Sequence, residues 1–71
     1  MTDNAYRRLL KRVVVKSDVW GGEPCIQGTR INVAVIIDSL AEGLSPKEIS
    51  THFPPLTELD VRAAVTYARR R

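Results

Sequence analysis

Between Asn32 and Arg71 the chain is cut by helix start and stop signals so closely spaced that only short helices fit between them. Asn32 is a good N-cap for a helix from Val33 to about Glu42, and Gly43 stands where a terminating C′ glycine is favoured. Ser45-Pro46-Lys47-Glu48 then reads as a capping box with proline at the first helical position. The helix it opens carries Ile49 and Phe53 inward and ends before Pro54-Pro55. Thr57 caps a third helix, and Asp60 stands three residues on to return the hydrogen bond. Leu56 and Val61 occupy the two positions of a hydrophobic staple. In this last helix Val61, Ala64, Val65 and Ala68 recur at i, i+3, i+4 and i+7, one apolar stripe. Arg62, Thr66, Arg69 and Arg70 fall toward the other side. The expected core gathers Ile49, Phe53, Leu59, Val61 and Val65.

The first half is punctuated differently. Asp3 or Asn4 is placed to cap a short helix through Arg12, with Tyr6, Leu9, Leu10 and Val13 on one side. Val13-Val14-Val15 is a β-branched run that reads as the start of a strand. Gly21-Gly22 breaks it, and Pro24-Cys25-Ile26-Gln27 is a second extended stretch. Gly28-Thr29 closes that stretch as a turn in which glycine supplies a positive φ. The organisation is therefore one domain over 1–71. A basic N-terminal helix or arm spans 1–12, a small β element 13–31 and a three-helix unit 32–71. The fold class is mainly α, a trihelical unit with a small N-terminal β element.

Charge separates the ends from the middle. Five basic residues come early (Arg7, Arg8, Lys11, Arg12, Lys16) and Arg69, Arg70 and Arg71 close the chain. Between Ile31 and Val61 the one Lys or Arg is Lys47, against Asp38, Glu42, Glu48, Glu58 and Asp60. Basic clusters of this kind suit phosphate or acidic protein surfaces. They are equally what solvated termini look like. With 71 residues the core is small, so a homodimer or a tight heteromer is expected, with Trp20 and the Tyr6, Leu9, Leu10 stripe available for contact. The longest apolar run, Val33 to Ile37, is too short to span a bilayer, and no signal peptide is read at the N-terminus. A single cysteine excludes an intramolecular disulfide framework, and a cytoplasmic location is expected.

Catalytic patterns are weak. His52 is the one histidine and has no second histidine or cysteine at metal-ligand spacing, so no metal and no cofactor are expected. Asp38 and Glu42 read as two exposed acids on one helix. Cys25, between Pro24 and Ile26, reads as a small buried hydrophobe. Gly21-Gly22 lacks the lysine and following helix of a phosphate loop. Trp20 suits an interface anchor or the core. Arg30 could clamp a carboxylate or phosphate, or brace the β turn against Asp18 or Glu23. The chain reads as a binding module, not an enzyme, with no small-molecule substrate and no membrane contact.

The run Gly22-Glu23-Pro24-Cys25-Ile26-Gln27-Gly28-Thr29-Arg30-Ile31, followed by Leu40-Ala41-Glu42-Gly43-Leu44-Ser45, resembles the signature of a small bacterial family catalogued as domain of unknown function 433. Glu48-Ile49, Phe53-Pro54, Leu56-Thr57, Val61-Arg62-Ala63-Ala64 and Tyr67-Ala68 extend the resemblance over about residues 13–68. Cys25 departs from it, since that position is often aliphatic in the family. The resemblance implies a helix-turn-helix-like fold and, by likeness of some members to VapB-type antitoxins, a partner toxin with a PIN-like ribonuclease fold. It implies a homodimer that neutralises this toxin and binds operator DNA to repress its own operon. DNA contact is then expected at Arg62, Thr66, Arg69, Arg70 and Arg71, and partner contact at Tyr6, Arg7, Leu10, Trp20 and Arg30. Since the chain stops soon after the third helix, toxin contact is expected on the N-terminal arm or the folded body. Two features strain the DNA reading. Pro54-Pro55 makes the inter-helix connector long, and Glu58 and Asp60 occupy the turn that usually faces phosphates. The competing reading is a protein-interaction or dimerisation module without DNA binding.

Overall fold

The computed structural model describes residues 3–16 and 20–70. Its elements in chain order are α1 (Asp3–Leu10), β1 (Val13–Val14), a single 3-10 turn at Trp20–Gly22, β2 (Cys25–Ile26), α2 (Val33–Ala41), α3 (Pro46–His52) and α4 (Glu58–Arg69). The domain is thus mainly helical with one small sheet, and the N-terminal segment is a packed fourth helix. An eight-residue helix is marginal alone in water; α1 is held by packing, and its most extensive contact is with α4.

The helix ends form where the side chains dictate. Asn32 Oδ1 accepts from the Val35 N–H at 2.9 Å, and Gly43 takes the φ of +98° that lets the chain leave α2. Both capping boxes close. Ser45 and Glu48 exchange bonds of 3.1 and 2.8 Å, while Thr57 and Asp60 exchange bonds of 3.2 and 3.0 Å. Between α3 and α4 the Leu56 N–H donates to the Phe53 carbonyl at 2.8 Å, so residues 53–56 turn tightly around Pro54-Pro55. Leu56 is 3% exposed. The staple therefore drives into the core and makes the long connector a packed one.

The sheet is antiparallel, with Val13 opposite Ile26 and Val14 opposite Cys25. The Ile26 N–H donates to the Ile31 carbonyl, so the chain doubles back along β2 and enters α2. Gly28, at φ +82°, occupies the position of this turn that needs a positive φ. Thr29 Oγ1 donates to the Ile26 carbonyl at 2.9 Å and accepts from the Ile31 N–H at 3.0 Å. Thr29 is thus a brace of the turn. Burial pushes the Cys25 thiol pKa up, aided by the negative charge of Glu23, and Sγ donates to the Glu23 carbonyl at 3.3 Å. Cys25 behaves as a buried, protonated small residue.

The core is Ile26, Val33, Ile36, Ile49, Leu56, Val61 and Ala64, with Phe53 and Tyr67 partly buried against it. Three expectations for α4 fail. Leu59 is 44% exposed, Ala68 is exposed, and Val65 is only half-buried. The buried residues of α4 are instead Asp60, Val61, Ala63 and Ala64. Residues two apart on a helix point about 200° from one another, so burying Val61 turns Leu59 outward. Because α4 packs on α1 as well as on α2 and α3, its buried face is centred between Asp60 and Ala64, rotated from the sequence stripe.

Ile49→Ala should lower stability by about 2–5 kcal/mol, whereas Leu59→Ala should stay within about 0.5 kcal/mol, both read from urea unfolding.

The Ser45 backbone N–H, with its hydroxyl, holds the Glu48 carboxyl below the ordinary Glu range. A depressed folded pKa contributes stability above the unfolded value of about 4.3 and loses it as pH falls through the folded value. Glu48→Gln should therefore melt below the parent at neutral pH, with the gap closing once the acid limb is crossed in a series of thermal melts.

Candidate binding groove

A trough of about 830 Å³ runs between α1 and α4, with Leu40 of α2 and Pro46 of α3 also lining it. Helical periodicity builds both walls. Ala5, Tyr6 and Leu9 recur at i, i+1 and i+4 on α1. On α4 the groove takes three successive pairs one turn apart, beginning at Val61-Arg62 and ending at Arg69-Arg70. Leu9, Leu40, Val61 and Val65 make an apolar floor. Arg62, Arg69 and Arg70 are exposed and rim it with cations, and Tyr6, 40% exposed, stands across from them.

The rim is partly preorganised. The Arg70 guanidinium lies 4.9 Å from the centre of the Tyr67 ring, a cation–π contact to a residue packed on the core. Thr66 Oγ1 donates to the Arg62 carbonyl at 2.8 Å. That hydroxyl proton is already committed, so toward an anion Thr66 offers little without breaking its bond; it was expected as a DNA contact. Among the described residues no carboxylate lines the groove.

Asp60 does not face outward as the sequence reading supposed. It is 6% exposed; one carboxylate oxygen accepts the Thr57 N–H and the other meets Arg12 Nη1 at 3.0 Å. Of the two acids in the first turn of α4, only Glu58 is exposed, so the feared repulsion of phosphate there is halved. The Arg12–Asp60 pair also ties the segment between α1 and β1 to α4, which fixes the spacing of the groove walls.

The structure thus joins residues that the sequence reading had assigned to two tasks. Arg62, Thr66, Arg69 and Arg70 share one groove with Tyr6. Arg7 and Leu10, exposed and half-buried, do not line it. Arg30 is exposed elsewhere, beside Lys16, Cys25 and Thr29 at a second, smaller hollow of about 400 Å³. Arg71 lies outside the described residues, as does Asp18, and the Trp20 side chain is likewise undescribed. Leu9, Leu40 and Val65 were missed as site residues. Leu9 was on the expected α1 stripe, so the signal was present; Leu40 carried none, because its role depends on where α2 ends in space. Among the described residues no helix is long and apolar enough to cross a membrane, and no three metal-ligating side chains come together.

By its architecture the chain is a small, mainly helical domain, with four α-helices and one two-stranded antiparallel sheet among its described residues. It belongs to the family described as protein of unknown function (DUF433), which it matches over residues 13–68. Among solved structures it is similar to a member of that family from Anabaena variabilis, with 31% sequence identity and a TM-score of 0.74. The likeness covers 90% of this chain and 63% of the other, so this chain spans less than two thirds of that relative. No curated protein matches it.

Asp60→Ala, which removes the return bond of the capping box and the ion pair while leaving Thr57 as the cap, should cost about 1.5–3 kcal/mol in urea unfolding, less any part recovered when the 41%-exposed Arg12 side chain returns to water. Glu58→Ala should cost less than about 1 kcal/mol.

Proposed function

We propose that this protein is the antitoxin of a type II toxin–antitoxin pair, a cytoplasmic homodimer that neutralises a PIN-like ribonuclease toxin and binds operator DNA to repress its own operon. It works by binding and carries out no catalysis. The observation that carries this reading is the gathering of the exposed Arg62, Arg69 and Arg70 along one groove at α4 and its C-terminal end, a groove that no carboxylate lines among the described residues. Guanidinium groups grip phosphate and carboxylate alike through paired donors, so one basic face suits both a nucleic acid and an acidic protein surface. Family membership supports the reading through the likeness of some members to VapB-type antitoxins. DNA contact falls to α4 from Arg62 onward and to its C-terminal end, because Glu58 and the exposed Leu59 occupy its first turn.

A second reading, an interaction module without DNA binding, is favoured by the flank that α1 makes. A helix with its side chains is about 10–12 Å across and the major groove about 12 Å wide, so a second helix alongside α4 limits how deeply it enters.

Fluorescence anisotropy on a duplex from the protein's own upstream region, at two salt concentrations, separates them. The antitoxin reading expects binding that falls steeply with salt and is weakened across all sequences by replacing Arg62, Arg69 and Arg70 with Ala. Absence of binding at low salt, with folded dimer confirmed by light scattering, leaves the interaction module standing. Binding that survives loss of the three arginines moves the contact to Arg7, Arg8, Lys11 and Arg12.

A further inference from the structure

The groove between α1 and α4 has more to it than a basic face. A surface made only for phosphate needs cations and hydrogen-bond donors; it gains nothing from an apolar trough. Here the floor beneath the arginines is Leu9, Leu40, Val61 and Val65, and Tyr6 forms the opposite lip. The α4 wall runs from Val61 to Arg69, about 12 Å of helix axis at 1.5 Å per residue, with Arg70 just beyond it. That length matches two to three turns of a third helix laid in the trough.

We infer that the groove takes an amphipathic helix of a partner protein, apolar on the face that enters and flanked by carboxylates, and that this helix and duplex DNA compete for the same three arginines. Helix-in-groove recognition reads anchors at i, i+3 or i+4, and i+7, which the linear floor accommodates. Charge complementarity selects the flanks. Arg62, Arg69 and Arg70 line the groove and no acid does among the described residues, so carboxylates on the incoming helix are attracted and lysines repelled. Arg70, steered by the Tyr67 ring, presents its guanidinium at the C-terminal end of α4. The inference rests on the antitoxin reading in naming a protein partner, and it adds where that partner sits and what chemistry it brings. A second copy of this chain has its own apolar and acidic helix face, since Val35 is 37% exposed and Asp38 and Glu42 are exposed on α2. Seating that face in the groove of another molecule would make the chain self-associate, so the oligomeric mass tells that occupant from a partner helix.

The test uses the full chain and a fluorescein-labelled synthetic helix of three turns, leucines on one face and glutamates on both flanks, beside the same helix with lysines for glutamates. Anisotropy should show saturable binding of the glutamate helix and none of the lysine helix. Tyr6→Ala and Arg69→Ala should each weaken binding by about tenfold, with only the second reducing its salt dependence. Unlabelled glutamate helix should displace labelled upstream duplex from the protein. Equal binding of the two helices, or binding indifferent to Tyr6→Ala and Arg69→Ala, overturns the inference. So does a light-scattering mass that grows with concentration and reverts to monomer in Arg69→Ala, which would seat a second copy in the groove. DNA binding without glutamate-helix binding sinks the inference and leaves operator binding intact. Glutamate-helix binding without DNA binding upholds the site and removes the repressor half of the antitoxin reading.

Discussion

The carboxylate of Asp60 holds two parts of this molecule at once. One oxygen accepts the Thr57 N–H and starts α4; the other meets the Arg12 guanidinium, in the link between α1 and β1. Burial of a carboxylate is costly unless its lone pairs are met. Here they are met by a local backbone donor and a distant cation, so the start of the last helix and the placement of the first are coupled. That coupling adds to the packing that already lays the short helix α1 along α4. With it, the two helices stand as the walls of a groove.

The groove follows from α4 having more faces than neighbours. Asp60, Val61, Ala63 and Ala64 are buried, and small residues at two of these positions leave room for close packing. The next face round, with Val65, Thr66 and Arg69, has α1 beside it but not over it. A helix packed on several sides exposes a narrower polar surface than its sequence suggests, and its half-covered apolar positions become a floor. Tyr67 contributes by standing between core and rim, packed on one and stacked against Arg70 on the other.

The stretch near Cys25 shows the same economy of roles. β2 is flanked by β1 on one side and by the return of the chain through Ile31 on the other, which leaves Cys25 and Ile26 buried with their backbone groups paired. Thr29, which invites a binding role when read beside Arg30, has its hydroxyl occupied in closing this turn. The family's signature residues here are, in this chain, largely ones that shape the hairpin-like element and its junction with α2.

Most of the helical architecture was legible because caps and turns are local chemistry. Asn32, Ser45 with Glu48, and Thr57 with Asp60 act over three or four residues, and the positive φ values at Gly28 and Gly43 follow from backbone sterics. The pairing of two short β stretches was legible for the same reason. What lay beyond the sequence was rotation and distance. Periodicity shows that α4 has an apolar side, but Val65 and Ala68 are drawn from that side and Leu59 from the opposite one, and only contact with three other helices decides which of them is covered. Two arginines at the C-terminus of α4 and a tyrosine on α1 are far apart in the chain, and no local rule brings them to one groove. Asp60 reads as the return half of a local capping box; nothing near it in the sequence shows that its other oxygen meets Arg12, 48 residues away. Short-range hydrogen bonds write themselves into sequence, whereas the identity of a surface depends on which non-local neighbours are left over.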